Sequence, residues 1–155
     1  MRRGLTFAVV VLAGAFVAAQ LASSKPVNPP TDANRTIQTF VSAGSALPGV
    51  LDRSCRDCHS NQTTWPWYTK VVPLNWVMSS AVKEGRRVVN FSEWAGYPSE
   101  KQRVLLAASC QAATSGKMPG GAWTMLHSEA KLSAQDIETI CAAAREAGAQ
   151  AGVSR

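Results

Sequence analysis

At 155 residues the chain holds one domain with room for a short extension. Its 16 Lys and Arg against 10 Asp and Glu give a formal net charge of +6; Arg2 and Arg3 are the only charges in residues 1–22, so the remainder carries 6 − 2 = +4. No basic cluster longer than Arg86-Arg87 follows, which argues against nucleic acid as a partner.

The chain opens on the basic Met1-Arg2-Arg3, and Leu5 to Ala22 then runs 18 residues (22 − 5 + 1) without a charge. That is close to the roughly 20 residues a helix needs to cross a bilayer. It also has the outline of a secretory signal, with Val17-Ala18-Ala19 as a small-residue cleavage site. The apolar character continues through Leu21-Ala22, which favours an uncleaved anchor in the inner membrane. Either way, residues 1–22 direct the rest of the chain to a periplasmic or otherwise extracytoplasmic compartment. Ser23 to Asp32, SSKPVNPPTD, predicts an extended linker over 23–34, with the domain itself over 35–149.

Within that domain, Ile37, Phe40 and Val41 give one apolar face of a short helix, broken between Gly44 and Gly49, where Pro48 starts the next turn. Val50, Leu51, Cys55 and Cys58 recur along one side of a second helix. After a long loop over 60–74, Asn75 to Val89 sets Trp76, Val77, Val82 and Val89 opposite Lys83, Glu84, Arg86 and Arg87, with Gly85 weakening the helix. Ser99 to Gln102 fits a capping box, Leu105 and Leu106 supply a buried face, and Gly116 fits the stop. A second long loop spans 117–132. Ser133 and Asp136 then start a last helix with Ile137, Ile140, Cys141 and Ala144 as its buried stripe and Gly148 as its end. No strand-like alternation of useful length occurs, so the expected fold is a small all-α domain with long loops. Such a core needs a staple or a cofactor.

The chemistry is concentrated in Cys55-Arg56-Asp57-Cys58-His59. Thiol–disulfide exchange uses Cys-x-x-Cys beside a β-α-β pattern, which is missing here. A structural zinc site needs a second ligand pair, but the only other histidine is His127, and Cys110 and Cys141 stand alone. The third use is c-type haem attachment, in an exported chain where such maturation takes place. Two thiols one helical turn apart add to the two vinyl groups of one porphyrin. His59 is then carried under the iron as the proximal ligand. The expectation is one covalent haem c.

The far side of the iron needs a residue on another element. Met118, in GKMPGGAW, lies on a loop beside Pro119, where a packing role explains it poorly; a thioether opposite histidine raises the reduction potential, as suits an electron carrier. His127 is the alternative ligand, while Met78 and Met125 read as packing. Trp65, Trp67 and Tyr68, with Trp76, Trp94 and Trp123, either wall a porphyrin or form the core of a small domain. Arg86, Arg87 and Asn90 are open to propionate binding or to a solvated helix face. Cys110 and Cys141, on buried helix faces, form a disulfide or remain two buried thiols.

CRDCHSNQTTWPWYTKVVPLNW, EGRRVVNFSEW and MPGGAWTMLHSEAKLS, preceded by Asn28-Pro29-Pro30, resemble the bacterial haem-binding domain proteins over roughly Asn28 to Ser133. Those are small, exported, cytochrome-c-like helical domains, often tethered by an N-terminal apolar segment. The resemblance implies haem on Cys55 and Cys58 with His59 as axial ligand. Where some relatives carry a histidine before Glu-Gly-Arg, this chain has Ser79-Ser80-Ala81. Gly120-Gly121 replaces bulkier residues, and Cys110 and Cys141 lie outside the family pattern. The expected function is a monohaem electron-transfer cytochrome with His59/Met118 ligation, an electron carrier serving a redox partner protein. The alternative is a haem-based sensor, or a peroxidase-like enzyme with an open sixth position and His127 as acid/base.

Overall fold

A computed structural model describes residues 2–42 and 44–153, and among them every regular element is helical. Helix α1 (Arg2–Ala22) buries none of its residues and is long and apolar enough to cross a membrane. Its last turn is tied to the domain, for Gln20 donates from Nε2 to Val72 O (3.3 Å) and accepts from Val72 N at Oε1 (3.1 Å). The following segment is extended, as its prolines dictate, but it is bound along the domain. Asn28 Nδ2 donates to Thr63 O (2.8 Å), Pro30 O accepts from Asn61 Nδ2 (3.0 Å), and Asp32 caps a 3-10 turn over Ala33–Arg35.

The domain comprises α2 (Leu47–Ser54), α3 (Arg56–His59), α4 (Leu74–Val88), α5 (Ser99–Thr114), α6 (Gly121–Leu126) and α7 (Ala134–Val153), joined by loops containing further 3-10 turns. Val50 and Leu51 of α2, Leu106 and Ala113 of α5, and Ile140 of α7 share one core with Ile37, Val89, Phe91 and Trp94. Helices α5 and α7 lie side by side, and Cys110 and Cys141 are bonded between them.

Several local expectations differ from the observed structure. Ile37–Thr39 is a 3-10 turn that buries Ile37 alone, while Phe40 points to solvent. The helix carrying Val50 to Cys58 is broken at Cys55 into α2 and α3. At α5 the Ser99–Gln102 capping box does not form; Pro98 takes the cap, and Gln102 Nε2 reaches back to Trp94 O and Tyr97 O (both 3.0 Å). Helix α7 runs through Gly148 to Val153. Trp94, 2 % exposed, packs in the core against Phe91 and Tyr97. Met125 is 85 % exposed and packs little.

The start of α7 follows its residue chemistry. Ser133 Oγ accepts from Asp136 N (3.1 Å), and Asp136 Oδ2 accepts from Ser133 N (2.8 Å) and from Arg53 (2.8 Å). Those partners, the Ser133 N–H foremost, hold the Asp136 carboxyl down to about 2. A depressed carboxylate stabilises the fold above its unfolded value of about 3.9, and the contribution disappears as pH falls towards 2. Asp136→Ala is therefore expected to cost about 1 kcal/mol at neutral pH and to flatten the acid limb of stability between roughly pH 4 and 2. Urea titrations at several pH values measure both effects.

Candidate functional site

Cys55 has φ −126° and ψ −29°, so α2 ends there and a single new turn begins. The Cys55 carbonyl accepts from both Cys58 N (3.2 Å) and His59 N (3.0 Å), closing the five-residue motif into that turn. Both motif thiols are free. Burial pushes the Cys55 thiol up to about 12 and raises Cys58 as well. Exchange chemistry requires the thiolate, and this environment suppresses it. Among the described residues no group of three or more His, Cys, Asp or Glu side chains converges as a metal site requires.

His59 is held from one side only. Its Nδ1 lies 3.0 Å from Gly85 O and 3.2 Å from Val89 O. Carbonyl oxygens only accept, so Nδ1 carries the proton and Nε2 keeps its lone pair. Burial lowers the pKa of His59, which favours the neutral ring. A histidine with one nitrogen donating to backbone carbonyls and the other uncommitted has the tautomer and orientation of a metal ligand.

The last turn of α4 makes this possible. A Cβ on Gly85 would stand 2.4 Å from Cys58 O, so only glycine lets α4 approach the motif so closely. Next to it, Arg86 donates from Nε to Ser60 O (2.7 Å) and from its terminal nitrogen to Thr63 Oγ1 (2.8 Å) and Asn28 Oδ1 (2.9 Å). Buried Asn61 accepts from Asn90 Nδ2 (2.7 Å), donates from its side chain to Pro30 O and Glu93, and donates from its backbone N–H to Ser92 Oγ (3.0 Å). Arg86 and Asn90 are thus committed to fixing the segment after His59, and Arg87 pairs with Glu84. Gly85, Asn28 and Asn61 were not expected as site residues; a glycine within a helix, directly before an arginine, was the available signal.

Around the motif lies apolar surface that no described residue covers. Leu74, Val77, Ala81 and Val88 recur at helical spacing on α4, and all are exposed, beside the buried Gly85 that faces Cys58. The expectation that Trp76 and Val77 form the core face of this helix is therefore corrected; Val82, Asn75 and Gly85 do so. The loops before α4 and after α5 meet at Tyr68 and His127. Tyr68 O–H donates to His127 Nε2 (2.7 Å), and His127 Nδ1 lies 3.1 Å from Glu129 Oε1. The Trp123 ring stacks on His127 with centroids 3.7 Å apart. Trp65 donates to Asn28 Oδ1 (3.1 Å), while Trp67 projects outward with its ring edge-on to Tyr68.

Met118 is placed by the end of α5. Gly116 takes φ +67°, a left-handed conformation suited to glycine, and Lys117 N and Met118 N both donate to Ala112 O (3.0 and 3.2 Å). The Met118 side chain leaves the turn 51 % exposed and outside the core.

The turn therefore presents two protonated thiols and an oriented imidazole beside uncovered apolar surface. Residues 14–146 match the model of a family described as a haem-binding domain. No curated protein and no solved structure matches the chain.

Proposed function

The chain belongs to the haem-binding domain family, and on that premise we propose that it is a c-type monohaem protein whose function is electron transfer outside the cytoplasm. The observation that carries this reading is the clamping of His59 Nδ1 by two carbonyls, which leaves Nε2 as a ready axial ligand. Cys55 and Cys58 are the attachment thiols. Leu74, Val77 and Ala81, with Trp65, Trp67 and Tyr68, supply apolar surface against which a porphyrin would lie. When bound, the haem iron supplies a one-electron couple. The protein residues orient the ligand, exclude water and adjust the potential.

For the sixth position the observations favour Met118 over His127. Both ring nitrogens of His127 are engaged, Nδ1 with Glu129 and Nε2 with Tyr68. Met118 is free of the core, on a loop fixed by the Gly116 turn. Helix α1 supports retention at the periplasmic face of a membrane, where the partner would be another redox protein.

Expression with c-type maturation machinery tests the reading. Haem that survives denaturing electrophoresis and a low-spin ferric spectrum with a sulfur-to-iron charge-transfer band are expected; Met118→Ala should abolish the band and lower the potential. A chain without covalent haem would end the proposal. The Tyr68–His127–Glu129 chain supports a second reading, a sensor or peroxidase-like enzyme in which His127 Nε2 takes up and returns a proton. A high-spin wild type that binds carbon monoxide rapidly would select it.

A further inference from the structure

The junction between α1 and the domain is built too specifically for a cleaved leader or a loose tether. Gln20 uses both ends of its amide on the backbone of Val72, accepting from Val72 N and donating to Val72 O. Ser23 Oγ donates to Asn75 Oδ1 (3.1 Å), and Asn75 Nδ2 donates to Ser24 O (3.4 Å) and Thr69 O (2.9 Å). Val72 and Asn75 are both buried, whereas their neighbours Val71, Leu74 and Trp76 are 38 %, 47 % and 54 % exposed. The turn therefore alternates between residues that hold the anchor and apolar residues that face outward.

The depth of this turn follows from the length of α1. Its 21 residues rise about 31 Å, which matches a hydrocarbon core of about 30 Å. Gln20 lies two residues from the helix end, about 3 Å below it. Whatever Gln20 grips must sit at the boundary between hydrocarbon and headgroups. Tryptophan with aliphatic neighbours is the composition that this boundary selects. Exposed Lys25 and Lys70, adjoining the two partners of the junction, suit anionic headgroups.

We propose that residues 71–76 form a membrane-interface seat, in which Val71 and Trp76 enter the headgroup region of the bilayer that α1 spans, with the Gln20–Val72 pairing fixing the domain upon it. This rests on the reading of α1 as a retained anchor and is independent of what occupies the motif. The partner is the lipid surface itself.

The test uses the full-length holoprotein in vesicles of phosphatidylethanolamine and phosphatidylglycerol. Nitroxide labels are placed at Val71→Cys, at Trp76→Cys and, as a reference on α5, at Gln111→Cys. Power saturation should show labels 71 and 76 relaxed more by oxygen than by a water-soluble nickel complex, with the reverse at 111. Gln20→Ala should shift 71 and 76 towards the nickel-accessible pattern without changing haem content. Labels at 71 and 76 as open to nickel as that at 111 would overturn the seat. So would an intact mass showing residues 1–19 removed. Labelling of the parent chain would report failed haem attachment alone, and the variant-minus-parent signal would still decide the seat.

Discussion

Gly85→Ala is expected to unfold the site, although it adds one methyl group. That methyl would lie 2.4 Å from the Cys58 carbonyl oxygen and 3.0 Å from its carbon. Both atoms are backbone, so the clash cannot be relieved by a rotamer; α4 or the motif turn must move. Movement of α4 carries Gly85 O and Val89 O away from His59 and pulls Arg86 from Ser60 O. Overpacking of this kind costs about 1–3 kcal/mol, and the loss of buried hydrogen bonds adds about 1 kcal/mol or more. We expect a net loss of about 3 kcal/mol and a several-fold drop in the fraction of chain carrying haem. Gly49→Ala is the matched control, for nothing lies within 4 Å of its added methyl group in α2. There the change should stabilise by about 0.5 kcal/mol, because alanine loses less backbone freedom on folding. Denaturant unfolding and pyridine haemochrome assays of both variants decide the matter. If the two variants are indistinguishable, the close approach of α4 to Cys58 does not constrain the site.

The contrast between these glycines shows what was readable in advance. Local chemistry was visible: the capping of α7 by Ser133 and Asp136, the Gly116 stop, and the compactness of the Cys-x-x-Cys-His turn all depend on residues within four of one another. The support for His59 was not. It comes from Gly85 and Val89, 26 and 30 residues away, and Asn61 reaches Ser92 across 31. No periodicity encodes such pairings. Helical pattern alone made Trp76 and Val77 core residues, because an apolar face reads the same whether it meets protein or another apolar surface. It likewise left Trp94 open as a wall, since an aromatic beside a site and one in the core share a composition.

Removing the Cys110–Cys141 bond by Cys110→Ala/Cys141→Ala is expected to produce the largest loss of global stability. The bond links residues 31 apart, and closing a loop of that size in the unfolded chain corresponds to about 3–4 kcal/mol. For a domain of this length that is a fall of ~10 °C in midpoint. A small core has little reserve to absorb it. Thermal unfolding followed by circular dichroism checks the magnitude. The parent chain in reductant should fall to the midpoint of the double variant, and the variant should not respond to reductant at all. The same bond bears on the site, because residues 111–140 contain both Met118 and His127. Helix α5 delivers Met118 through the Gly116 turn, and α7 receives the chain after the Tyr68–His127 contact. The two helices are thus fastened at both ends of the segment that carries Met118 and His127. On the proposed function, thioether attachment through Cys55, at the α2–α3 junction, and Cys58 of α3 should survive in the double variant. Under the proposed Met118 ligation, the sulfur-to-iron charge-transfer band should instead fade on warming well before the helices melt. A band that disappears only with the helical signal would show that the loop is held by the crevice and not by the disulfide.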